Sequence, residues 1–165
     1  MRTAVGGFPE GAPPGRVQCR YFLHRAAPLE PAVPPTPGTL HHVEIWVPDL
    51  PRAVADWAWL LEALGYTLHQ EWDGGRSWRL GGTYLVFEQS PALSGPRHDR
   101  LAPGLNHLAF HAGPRAAVDA LTDKALAHGW TILFPDRHPH AGGPDQYAAY
   151  LENRDGFEIE LVAAD

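Results

Sequence analysis

Four residues of this chain combine the types and the spacing that metal chemistry needs: His42, Glu88, His107 and Glu160. Each histidine stands at the start of one of two similar stretches, 41–47 (HHVEIWV) and 106–112 (NHLAFHA), and each glutamate closes the segment that follows it. Imidazoles and carboxylates are costly to bury alone, and a divalent cation satisfies both. A repeat that sets two of each at matching points therefore predicts a divalent-metal site on a duplicated fold.

A second group of residues could do proton chemistry. His138 and His140 lie in a Gly- and Pro-rich loop, 137–144, just before Tyr150, which predicts a lid with acid/base capacity over the metal. His111 is a further acid/base candidate. Glu44 and Glu158 fall on the same strand faces as the ligands, one pleat away, and read as pocket or surface carboxylates. Trp46, Trp72 and Trp78 could line a flat apolar pocket or belong to the core. Arg97, His98 and Arg100 could clamp an anionic substrate or form a solvated basic loop.

The elements that must position these groups follow from periodicity. Val43, Ile45 and Val47 alternate with His42, Glu44 and Trp46, so one face of a first strand meets a helix and the histidine lies on the other face. His41 shares the phase of Val43 and is excluded as a ligand. A helix starts after Asp49, an N-cap followed by Pro51, carries Leu50, Val54, Trp57, Leu61 and Leu64 on one stripe, and ends at Gly65. Strands are predicted over 66–72, 77–80 and 83–89, separated by Asp73-Gly74-Gly75 and Gly81-Gly82 turns. After a Pro/Gly-rich loop at 90–104 the pattern returns: a strand at 107–112, a helix over 114–128 with Val118, Leu121 and Ala125 buried, then strands at 147–152 and 157–162. The histidines are 65 residues apart and the glutamates 72, the difference being absorbed by the loop at 136–146. All four ligand candidates avoid the helix-facing side.

Composition bounds the rest. The chain has 165 residues, enough for one domain with its own core, and a net charge of -6 with no basic stripe, which excludes nucleic acid as a partner. It has one cysteine, Cys19, so no intrachain disulfide forms, and no apolar run long enough for a membrane span or a signal peptide. A cytoplasmic protein is the expectation, and abundant Ala, Gly, Pro and Arg point to a bacterial, GC-rich genome. Residues 1–38 are Pro- and Gly-rich and read as an extended N-terminal arm, with the folded domain over 39–165.

The stretches 40–50 (LHHVEIWVPDL), 105–110 (LNHLAF) and 153–162 (NRDGFEIELV) resemble the vicinal oxygen chelate superfamily, which includes glyoxalase I, extradiol dioxygenases, and bleomycin-resistance proteins. The resemblance covers about residues 40 to 163. It implies an α+β fold of two tandem βαβββ modules, about 40–89 and 105–163, whose sheets curl around a metal-binding cavity. His42 and His107 match the two first-strand ligands of that family, Glu160 its last-strand ligand, and Glu88 the fourth ligand that glyoxalase I has. Arg154 stands where the family has a proline. One divalent ion, Ni, Co, Zn, Mn or Fe(II), would then chelate a small oxygenated substrate, with Glu88 or Glu160 shuttling a proton in a glyoxalase-type lyase or isomerase. His140, Tyr150 and Glu160 also resemble the extradiol dioxygenase pattern, which gives a non-haem Fe(II) dioxygenase as one alternative; a metal-free antibiotic-binding protein is another. A homodimer could share each site between two chains.

Overall fold

The computed structural model describes residues 36–164. The predicted arm lies almost wholly outside the described residues. Beyond it the chain forms ten elements in two βαβββ units. The first comprises β1 (His42–Trp46), α1 (Leu50–Ala63), β2 (Thr67–Trp72), β3 (Gly75–Leu80) and β4 (Thr83–Glu88). The second comprises β5 (His107–Gly113), α2 (Arg115–Ala127), β6 (Thr131–Ile132), β7 (Ala148–Glu152) and β8 (Glu158–Ala163). The sheets have strand orders β1-β4-β3-β2 and β5-β8-β7-β6, so each unit pairs its first and last strands in parallel.

Local chemistry accounts for these boundaries. The Asp49 carboxylate accepts the Arg52 backbone N–H at 2.9 Å, capping α1. Gly65 and Gly129 follow the two helices with φ of 88° and 83°, a left-handed turn that glycine adopts without a Cβ penalty. The second helix lacks a side-chain cap, because Pro114 stands at its N-cap position.

One core serves both units. Ile45, Leu85, Phe87 and Trp78 from the first sheet and Phe110, Leu151, Ile159 and Leu161 from the second all belong to it, with Trp57 of α1 buried between them. Trp57 meets Trp130 edge-on at 5.3 Å and Phe157 at 6.3 Å between ring centroids. Full burial of such a side chain contributes roughly 2–3 kcal/mol, so the aromatic contacts at this junction weigh more than its polar ones. The polar contacts are still specific. The Arg52 guanidinium donates to both Asp155 oxygens at 2.8 to 3.2 Å, tying α1 to the turn before β8. Arg154 reaches Asp56, a buried carboxylate on α1, at 3.6 Å.

The units therefore meet through their helix-facing sides. The other face of each sheet, which carries His42 or His107, lies away from the shared core. On the first sheet it is open to solvent, with Trp46 42% exposed.

Candidate metal centre

Register decides which side chains can meet. In the second sheet His107 pairs with Glu158, Ala109 with Glu160 and Tyr150 with Glu160. His107 and Glu160 thus sit diagonally on one face, and Nε2 of the histidine lies 3.4 Å from Oε2 of the carboxylate. The other carboxylate oxygen accepts a bond of 2.5 Å from the Gln146 amide. The Tyr150 hydroxyl donates to the same carboxylate, and its pKa is pushed up to about 12, first by burial and then by that bond. Tyr150 is therefore a hydrogen-bond donor at any ordinary pH.

The walls of this half-site are built by nearby loops. Phe134 has φ of 54°, an uncommon left-handed conformation for a bulky residue, and its ring lies 5.8 Å from that of Tyr150. A side chain on Gly142 would collide with Gln146 and the Tyr150 hydroxyl, so the loop closes over both only because that position is glycine. On the far side Arg100 binds Glu158 at 2.8 Å and Glu152 at 3.1 Å, and Arg97 binds Glu152 at 2.8 Å. Burial raises the Glu158 carboxyl while Arg100 opposes the shift. The two arginines are engaged with protein carboxylates, not held ready for an anion.

The first sheet contributes His42. Its ring stacks on Tyr84 at 5.0 Å, and its Nδ1 lies 2.9 Å from Nδ1 of His41. Glu88 is a correction to the expected ligand set. His42 pairs with Tyr84 and Trp46 with Glu88, so the glutamate lies at the other end of the paired strands from the histidine. Its face is as predicted, but the position that corresponds to Glu160 is Val86, the partner of Glu44. Burial, and then the Glu44 carboxylate, raises the Glu88 carboxyl above its ordinary range.

Other expectations divide similarly. His140 does not reach Tyr150 or Glu160; its Nδ1 lies 3.0 Å from the Gln146 carbonyl oxygen and its ring packs against Tyr147. The residue of that loop which does reach Glu160 is Gln146. Its alternation with Ala148 and Tyr150 along the strand was the available signal. His111 is exposed beside Val162. Trp78 is core, whereas Trp46 and Trp72 lie on the open face. A cavity of about 530 Å³ lies under the linking loop among Trp46, Arg97, His98, Leu105 and Phe157, and neither His107 nor Glu160 lines it.

His107 and Glu160 fit half of a divalent-metal site: an imidazole nitrogen and a carboxylate oxygen close together, with the second carboxylate oxygen held by outer partners. Among the described residues no group of three or more His, Cys, Asp or Glu converges. His42 is on the other sheet, and among the described residues His107 and Glu160 gain no third ligand from it. No described helix is long and apolar enough to cross a membrane.

A family model described as the Glyoxalase/Bleomycin resistance protein/Dioxygenase superfamily matches residues 41–150. The uncharacterized protein YqjT of Bacillus subtilis (strain 168) is 44% identical over 126 residues, which are 75% of this chain and 98% of that protein. The crystal structure of a candidate glyoxalase from Bacillus halodurans shares 48% identity and a TM-score of 0.74 over 78% of this chain and 97% of its own. Lactoylglutathione lyase from Agrobacterium tumefaciens, at 20% identity and a TM-score of 0.52 over 78% of this chain and 95% of its own, shares the fold.

Proposed function

This chain belongs to the glyoxalase/bleomycin resistance protein/dioxygenase superfamily, and from that premise we propose that it is a metal-dependent enzyme of the oxygenase type. In this reading it works as a homodimer. His107 and Glu160 of one subunit and His42 of the partner subunit hold one divalent ion. The observation that carries the reading is Val86: with a valine in the fourth position the donor set is two histidines and one carboxylate, the set that suits Fe(II) and leaves positions open. The glyoxalase-type alternative needs a second carboxylate in that place, and Glu88 is too far along the strand to supply it.

When bound, the ion would supply Lewis acidity to two neighbouring substrate oxygens and, as Fe(II), a site for dioxygen. The chain's own residues do the rest. Gln146 holds one Glu160 oxygen and leaves the other facing His107. Tyr150 keeps its proton and donates it as a hydrogen bond to Glu160, helping to orient that carboxylate. Phe134 and Tyr150 form an aromatic wall, which favours a small aromatic vicinal diol as the substrate class.

The test is anaerobic reconstitution of the apoprotein with Fe(II), followed by oxygen-uptake measurements with a panel of catechols. Oxygen consumed in step with diol supports the reading. Isomerisation of a hemithioacetal without oxygen uptake, in the Ni- or Zn-loaded protein, would replace it with the glyoxalase type. Absence of metal uptake under any condition would leave a binding protein.

A further inference from the structure

We propose that His41 and Asn106 are positioning residues, a role that rests on the metal reading above: each accepts the Nδ1 proton of the histidine that follows it, which turns an unprotonated Nε2 toward the metal.

Asn106 makes the stronger case. Its Nδ2 donates to the Arg100 carbonyl oxygen at 2.9 Å. A carbonyl only accepts, so the amide cannot be turned around, and Oδ1 must be the atom that faces Nδ1 of His107 at 2.7 Å. That oxygen also only accepts. His107 therefore carries a proton on Nδ1, and in the neutral ring Nε2, 3.4 Å from Glu160, presents a lone pair. Two electron-rich atoms at that separation are stable together when a positive centre joins them, which is what a ligand pair provides.

The first unit repeats the device with another residue. His41 precedes His42 as Asn106 precedes His107, and both pairs are 65 residues apart. Nδ1 of His41 lies 2.9 Å from Nδ1 of His42, so one ring donates and the other accepts. Tyr84 stacks on His42 with an interplanar angle of 11° and meets the His41 ring edge-on, which holds both rings for that bond. With His42 as donor its Nε2 is bare, as in His107, and His41 carries its own proton on Nε2. The residue that strand phase excludes as a ligand thereby acquires a role behind one.

The experiment reads tautomers and metal affinity separately. Long-range proton–nitrogen correlation spectra of the ¹⁵N-labelled, full-length apoprotein should give the Nδ1–H form for both His42 and His107. Asn106→Ala should return His107 to a mixture, and Asn106→Asp, which keeps an acceptor, should restore the Nδ1–H form. In Co(II) titrations followed by visible absorbance, Asn106→Ala and His41→Ala should each weaken binding by about 10- to 100-fold, while Asn106→Asp and His41→Asn stay near the wild type. An Nε2–H form of His107 in the wild-type apoprotein, or unchanged Co(II) affinity in both alanine variants, would overturn the proposal. Failure of the wild-type chain to take up Co(II) would instead overturn the proposed function, and the spectra would still decide whether these residues set the rings.

Discussion

Val86 occupies in the first sheet the place that Glu160 occupies in the second. Each lies across from the residue two positions after the first-strand histidine, Val86 from Glu44 and Glu160 from Ala109. The duplication thus keeps the histidine in both units and the carboxylate in one. In the proposed centre the donor set would then be three, which separates it from one with four protein ligands.

Glu88→Gln is accordingly expected to leave Co(II) stoichiometry and affinity close to those of the wild type, since Glu88 lies at the other end of the paired strands from His42. Val86→Glu should do the reverse. A carboxylate placed there would fill an open position, tighten metal binding and suppress oxygen uptake. Metal analysis and an oxygen electrode on the two variants decide between the positions, and loss of metal in Glu88→Gln would sink the assignment of Val86.

Gln146 is expected to matter through Glu160. Gln146→Leu removes the 2.5 Å bond to the carboxylate, so Co(II) affinity should fall about tenfold with the ligands untouched. Gly142→Ala should produce a similar loss by another route, because its new methyl group displaces Gln146 and the Tyr150 hydroxyl. If both variants bind Co(II) as the wild type does, the loop packs over the half-site without shaping it.

What sequence could show, and what it could not, differs by the range of the interaction. Helix limits depend on neighbours in the chain: Asp49 caps α1 and Gly65 follows it, as expected, and Gly129 stands in the same place after α2. Strand faces depend on alternation, and all four ligand candidates are on the predicted faces. Register between β1 and β4 depends on tertiary pairing, and a shift of two residues leaves the face unchanged; this is why alternation alone makes Glu88 look equivalent to Glu160 when Val86 is. The meeting of helices at the module junction, which separates His42 from His107, is equally non-local. Asp56 is a smaller surprise, a carboxylate in the buried stripe of α1 whose partner, Arg154, is remote in the chain.

Asp56 gives a pH dependence with a definite sign. Desolvation raises its carboxyl above the ordinary value, with Arg154 only partly opposing. The fold thus favours the neutral form: the stabilising contribution is fully present below the unfolded carboxyl pKa and is lost as pH rises through the folded one. One carboxylate oxygen, Oδ2, has no hydrogen-bond partner. Asp56→Asn is expected to raise stability by about 1 kcal/mol at pH 7 and by less near pH 3, where the wild-type group is already neutral. Thermal unfolding at the two pH values checks it, and a larger gain at the acidic end would show that the pairing with Arg154 outweighs burial.

The shared site makes the strongest demand on the assembly. If each centre takes His42 from one subunit and His107 from the other, then His42→Ala and His107→Ala homodimers should both lack bound metal. A hybrid of the two is different: one of its centres lacks both histidines, and the other has both. Random subunit exchange makes about half of the dimers hybrids, so the mixture should regain about a quarter of the wild-type metal and oxygen uptake. Were both histidines drawn from the same chain, every centre in the mixture would still miss one, and nothing would return. Sedimentation of the wild-type chain as a monomer would exclude the shared centre outright. Recovery on mixing, in contrast, requires two subunits at one ion, because no single chain in the mixture contains the complete set.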